Sequence, residues 1–99
     1  MADRDAPGII RNQQASRFEL VDAPERAHLN YHFADRRLTL VHTEVADEFE
    51  GQGIGSTLVR TALTYADEHD LAVVPVCPFV TGWLERHPDR AAQLAILEP

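Results

Sequence analysis

The chain contains no lysine: its nine basic side chains are all arginine, set against 16 acidic ones for a formal charge of −7. A Schiff-base lysine is excluded, and so is a phosphate loop of the GxxxxGK[ST] type, whose lysine reaches the phosphates. An acidic chain without a basic run also lacks what nucleic acid requires, since that binding rests on neutralising many phosphates. Anionic membranes are set aside for the same reason. The single cysteine, Cys77, forms no internal disulfide, in keeping with a reducing compartment. There is no run of about 18 apolar residues, and the start MADRDAPGII lacks the basic-then-apolar layout of a secretory signal, so a cytoplasmic protein is expected. At 99 residues and 44% hydrophobic content the chain has room for one small domain.

Residues 1–14 are polar apart from Ile9 and Ile10 and show no sustained period. They read as a flexible N-terminal arm preceding a single domain over 15–99. SRFELVD (16–22) has the look of a weak strand. In RAHLNYHFA (26–34), Leu29, Tyr31 and Phe33 alternate with His28, Asn30 and His32, the period of a half-buried strand. Asp35 and Arg36 mark a tight turn into RLTLVHTEV (37–45), which carries apolar residues in both phases and so reads as a central strand with both faces covered. Ile54, Leu58, Ala62 and Tyr65, flanked by Val59, Leu63 and Ala66, predict a helix as far as His69. AVVPV (72–76) is of strand length, but Pro75 removes a ladder donor, so this strand is expected to stand apart from its neighbour there or to carry a bulge. Pro78 suits the first position of a helix through FVTGWLERH. A polar helix over 90–94 and a short strand in the tail AILEP complete the reading. The order predicts an α+β fold with a mixed sheet: three antiparallel strands, a β-α-β crossover and a C-terminal helix.

Three glycines, Gly51, Gly53 and Gly55, directly precede the strongest helix. Glycine loses the most backbone entropy on folding, so the cluster is a cost. A helix start offers unpaired N–H groups and about half a positive charge, and glycines let that backbone approach a phosphate without any basic side chain. The alternative is a tight turn whose glycines supply positive φ. A dinucleotide fold fits poorly, because Ser56 stands at the third glycine of GxGxxG and the chain is too short for two β-α-β-α-β halves. Asp47, Glu48 and Glu50 flank the loop within a Debye length of about 10 Å, so a phosphate site requires their side chains to point away.

EFEGQGIGSTLV resembles the acyl-CoA pyrophosphate loop of the GNAT (GCN5-related) N-acetyltransferases: Gln or Arg, two residues, Gly, one residue, Gly or Ala. Gly53 and Gly55 match that pattern, and Glu50 replaces its leading residue. With HTEV (42–45) and VPVCPFV (74–80), the chain resembles the minimal single-domain branch of that superfamily over about residues 16–90. The resemblance implies a GNAT-like acyl-CoA N-acyltransferase fold in which a pantetheine arm lies like an extra strand between 37–45 and 72–76. Main-chain groups near Glu44 and Val45 would bind the arm, the amides of Gln52, Gly53, Ile54, Gly55 and Ser56 the pyrophosphate, and Ser56 would add a hydroxyl.

The resemblance also makes Cys77 the leading candidate for the group beside the acetyl thioester; without it, a cysteine between Val76 and Phe79 is equally a small buried apolar residue. A helix dipole at Pro78 favours its thiolate by about 0.3 to 1 kcal/mol, too little by itself to make it strongly reactive. His42, on a strand whose alternate residues share a face, is the candidate base for an incoming amine or for Cys77, or a sheet histidine bonded to a neighbour. His28 and His32 share a strand face, but HLNYH has no acidic third ligand nearby, so no metal is expected. The only tyrosines, Tyr31 and Tyr65, fall on expected core faces, leaving no tyrosine acid for a thiol leaving group.

The function expected is therefore an acetyl-CoA-dependent N-acetyltransferase acting on a small-molecule or protein amine, by direct attack or by a relay through Cys77. The missing tyrosine and small size suggest the alternative of a non-catalytic CoA or acyl-CoA-binding module. A nucleotide- or partner-binding domain using the same loop is the third reading.

Overall fold

Hydrophobic alternation and turn chemistry set the sheet. The structure, a computed structural model, describes residues 8–49 and 51–99. Strands β1 (Ile9–Asn12), β2 (Arg17–Leu20), β3 (Ala27–Ala34) and β4 (Arg37–Val45) are followed by a 3₁₀ turn at Asp47–Phe49 and helix α1 (Ile54–Glu68). Strand β5 (Ala72–Pro75) and helices α2 (Pro78–Arg86) and α3 (Pro88–Ala91) complete the chain. The strands lie in the order β1-β2-β3-β4-β5, antiparallel up to β4, with β5 parallel to β4. This is the mixed α+β sheet expected.

The first strand corrects the expectation of an arm over 1–14. Ile9 pairs with Leu20 and is 2% exposed, packed in the same core as Phe18 and Leu29. The hairpin closes on polar residues: Asn12 Oδ1 accepts from the Ala15 amide and Ser16 takes a left-handed φ of 54°. Two apolar residues side by side carry no readable period, so a strand this short leaves little trace in the sequence. Residues 1–7 lie outside the described part.

Asp35 and Arg36 form a two-residue turn with φ of 54° and 60°, the twist that suits a tight hairpin. Arg36 then reaches across to donate to the carbonyls of His69 and Asp70, placing a cation at the C-terminal end of α1. Leu29, Leu38 and Leu40 of the sheet bury themselves against Leu58, Val59, Ala62 and Leu63 of α1 and Val80 and Trp83 of α2. Each such side chain contributes about 1.5–3 kcal/mol on burial. β4 is central, but only one face is covered, contrary to expectation: Val41, His42 and Glu44 are exposed. Phe33 continues the buried phase of β3 yet is 54% exposed, at the edge of a hollow beside Tyr65.

Two departures from regular pairing position the site. Tyr31 pairs with Leu40 and Asn30 with His42, so Val41 is an extra residue, a bulge in β4. A bulge shifts the alternation by one, so Leu38 and Leu40 face the core before it, and Thr43 and Val45 do so after it. The second departure is at Pro75. The β4–β5 register ends at Leu40 opposite Pro75, and the amides of Val76 and Cys77 both turn onto the Leu40 carbonyl. Beyond that point β4 runs on to Val45 with β3 alone beside it. The expected parting at Pro75 is present. The other flank of β5 meets the tail through a single bridge, Val73 to Ile96, rather than through a strand. The last helix starts at Pro88, ahead of the expected 90–94, because His87 and Pro88 both end α2 and open α3.

Candidate functional site

The opening between β4 and β5 leads to the start of α1. Gly53 caps this helix with a left-handed φ of 75° and has no side chain to satisfy the first-turn amides. Among the described residues, none of the amides of Gly53, Ile54, Gly55 or Ser56 donates to an acceptor; the first intrahelical bond is Thr57 to the Gly53 carbonyl. The Gln52 amide is different. It donates to the Phe49 carbonyl at 3.1 Å, closing the turn, so Gln52 is withdrawn from the expected cradle. A cleft of about 350 Å³ lies over these groups, lined by Val45, Phe49, Gly53 to Ser56 and Phe79.

The three glycines have different causes. Gly51 and Gly53 sit at φ of 82° and 75°, where a side chain is strained. Gly55 is ordinary helix, but a Cβ there would meet Phe79 Cζ at 2.8 Å. Phe79, 41% exposed, thus lies directly on the first turn of α1. Ser56 is held tightly: Trp83 Nε1 and Arg60 Nη1 each donate to its Oγ at 2.7 Å.

Of the acids beside the loop, Glu48 is turned away into an ion pair with Arg26. Asp47 is exposed and stands among the residues around the cleft. Glu50, the departure from the loop pattern, lies outside the described residues.

Cys77 is the N-cap of α2, with Pro78 in the first turn. The residue is 4% exposed, and its sulfur lies 3.3 Å from Thr43 Oγ1. Burial pushes the thiol up, but the Thr43 hydroxyl and the amides of Val80, Phe79 and Thr43 outweigh it, and the thiol is held below its ordinary range. The α2 amides do not close a full capping bond on the sulfur, so they act as dipoles aimed at it.

His42 does not join this group. The bulge at Val41 puts it on the face opposite Thr43, where it is exposed and its Nε2 lies 3.1 Å from Glu44 Oε1. Strict alternation would have set His42 with Leu38 and Leu40; the extra residue reverses that. The Glu44 main chain is likewise turned to β3, because the Ala46 amide donates to Arg26 and alternate residues face the same way. Thr43 and Val45 are the residues whose main chain faces the opening. Tyr31 is 8% exposed with its hydroxyl accepting from Arg11, away from the cleft. Sequence reasoning missed Thr43, although it lies inside HTEV, and missed the roles of Phe79, Trp83 and Arg60 around the helix start. Among the described residues, no three His, Cys, Asp or Glu side chains gather as a metal would need, and no helix is long and apolar enough to cross a membrane.

Comparison with known proteins supplies the family. The family model for GCN5-related N-acetyl-transferases matches residues 17–94. The NATD1 proteins of human and mouse are 34% identical to this chain over 65 residues, 65% of its length. The chain spans 59% of the mouse protein and 58% of the human one. The NMR solution structure of a GCN5-like protein from Staphylococcus aureus superposes with a TM-score of 0.70 at 26% identity, covering 92% of this chain and 88% of that one. The mixed sheet and the crossover through α1 agree with these matches, and the chain belongs to the GCN5-related N-acetyltransferase family.

Proposed function

We propose that the domain binds acetyl-CoA between β4 and β5 and transfers its acetyl group to an amine. The observation that carries this reading is the continuity of two open surfaces among the described residues: the β4 edge past Leu40, and the start of α1, where Gly53 offers no side-chain cap. The amide-bearing pantetheine arm suits the main-chain groups of Thr43 and Val45, as a strand partner would. The diphosphate suits the amides of Gly53 to Ser56 and the dipole behind them.

Two routes give the same product. In direct attack, an unprotonated amine adds to the thioester carbonyl and CoA leaves as thiolate, taking up the proton the amine gives off. In the relay, the Cys77 thiolate takes the acetyl group and releases CoA, and the amine then displaces the Cys77 thiolate. The hydrogen-bond donors around the Cys77 sulfur favour the relay, because they stabilise the thiolate without a base. His42, on the other face of β4 and paired with Glu44, stands away from a thioester beside Cys77, so neither route is assigned a base from it.

The experiment is a release assay for free CoA with acetyl-CoA and a panel of amines, using the wild type and Cys77→Ala, with intact-protein mass spectrometry alongside. The absence of lysine makes the mass reading clear: an acetyl group on the side-chain nucleophiles points to Cys77, and cleavage by hydroxylamine identifies the thioester. Release that requires Cys77 and a labile acetyl adduct support the relay. Release undiminished in Cys77→Ala supports direct attack. Acetyl-CoA binding with no release from any amine leaves the domain as a binding module.

A further inference from the structure

Phe33 follows Leu29 and Tyr31 on the core-facing phase of β3, yet it is 54% exposed. The hollow it borders has a volume of about 320 Å³, at the lower end of the roughly 300–1,000 Å³ of small-molecule sites, and Arg11, Ser16, Tyr31 and Tyr65 help to form its walls. Arg11 is fixed there from two sides. Its Nη1 donates to the Tyr31 hydroxyl oxygen at 3.0 Å, and its guanidinium carbon stands 4.6 Å from the centre of the Tyr65 ring, which packs in turn on Phe18 and His69. A guanidinium offers five N–H donors, so most of its fork is left over. The chain has 16 acidic side chains, but none among the described residues pairs with Arg11, and no Asp or Glu lines the hollow.

Tyr31 adds a second observation. It is 8% exposed and its oxygen already accepts from Arg11, so what it has left to give is its proton, for which the described residues provide no acceptor. Two kinds of donor, one of them on an almost wholly buried side chain, thus converge on an aromatic-walled hollow. This hollow lies apart from the coenzyme cleft. Tyr65 is about three turns along α1 from Ile54, about 16 Å at 1.5 Å per residue, and the two hollows share no lining residue.

We infer that this hollow binds a small carboxylate carried on a flat or apolar body: Arg11 N–H groups and the Tyr31 hydroxyl donate to the carboxylate oxygens, and Tyr65 and Phe33 flank the body. The planar guanidinium matches a carboxylate in two parallel hydrogen bonds, and its stacking on Tyr65 means that little freedom is lost on binding. Nothing in this recognition depends on the coenzyme.

Phenylacetate is the probe, with phenylacetamide and inorganic phosphate as comparators, each titrated into ¹⁵N-labelled protein and followed by amide chemical shifts. Phenylacetate is expected to give saturable shifts at Arg11, Ser16, Tyr31 and Phe33. It should bind at least about tenfold more tightly than phenylacetamide, which keeps the ring but not the charge, and than phosphate, which keeps the charge but not the ring. Arg11→Gln should weaken it about tenfold or more, and Tyr31→Phe, which keeps the ring in the core, about threefold or more. Arg86→Gln, the same loss of charge at the end of α2, should leave its affinity within about twofold, as should added acetyl-CoA. No saturable shift at these residues, equal binding of phenylacetamide or phosphate, undiminished affinity in Arg11→Gln or Tyr31→Phe, or an equal loss in Arg86→Gln overturns the carboxylate site. Displacement of phenylacetate by acetyl-CoA overturns its separation from the coenzyme cleft.

Discussion

Thr43 Oγ1 lies 3.3 Å from the buried sulfur of Cys77, on the stretch of β4 that runs past the end of β5. One bulge residue, Val41, brings this pair together and turns the neighbouring His42 to solvent. Thr43→Val keeps the shape and removes the donor. Its Cys77 thiol should rise toward the ordinary range, so that alkylation at neutral pH slows roughly tenfold, while Thr43→Ser restores the rate. Because the wild-type thiol is held low, its alkylation should switch on at lower pH than that of a free cysteine. The pH profile of iodoacetamide labelling reads both, and identical profiles for wild type and Thr43→Val would remove Thr43 from the account.

Gly55 and Phe79 form a second testable pair. A methyl at residue 55 would stand 2.8 Å from the Phe79 ring, and that ring is partly exposed and free to swing. Gly55→Ala should therefore leave the melting temperature within a few degrees, since alanine is the better helix former by about 1 kcal/mol, yet displace Phe79 over the cleft and weaken CoA. The double variant Gly55→Ala/Phe79→Ala should recover most of the affinity. Strictly additive losses in the two singles and the double would show that the contact plays no part in binding.

Ile9→Ala tests the first strand. The side chain is fully packed against the core, so its truncation should cost about 2–4 kcal/mol, read as a lowered urea midpoint at unchanged m-value. A change below about 0.5 kcal/mol would return residues 9–12 to the status of a surface arm.

Trp83→Phe keeps an aromatic ring in the core but removes the donor to Ser56 Oγ. A stability loss of about 1 kcal/mol is expected from the unmade hydrogen bond, together with weaker CoA binding, because Ser56 regains a free acceptor position. Thermal melts and calorimetric titration measure the two effects separately. Full affinity in a folded Trp83→Phe would detach Ser56 orientation from ligand capture.

Long periodic elements were readable from the chain: β3, β4 and α1 announce themselves by spacing, and Pro75 by its missing donor. β1 was not, because its four residues pair by virtue of β2 and bury only one large side chain. The candidate site divides the same way. The glycines and Cys77 stand out as residue types in a context, and the helix starts follow from local sequence. The partner of Cys77 depends on the phase of β4 beyond Leu40, and that phase is set by a single inserted residue whose side chain, valine, suits either face. For the same reason His42 read as a partner of the sulfur and Glu44 as part of the opening. Phe79, Trp83 and Arg60 meet the loop only through tertiary packing of α2 on α1, which no local pattern encodes.

The account turns on main-chain donors at the start of α1 and along the open β4 edge. The most direct measurement is amide chemical-shift mapping of ¹⁵N-labelled protein titrated with acetyl-CoA. Large, saturable shifts concentrated at Gly53 to Ser56 and at Thr43 and Val45 are the predicted result. Saturating ligand with those amides unmoved, or shifts gathered on another face of the sheet, would contradict it.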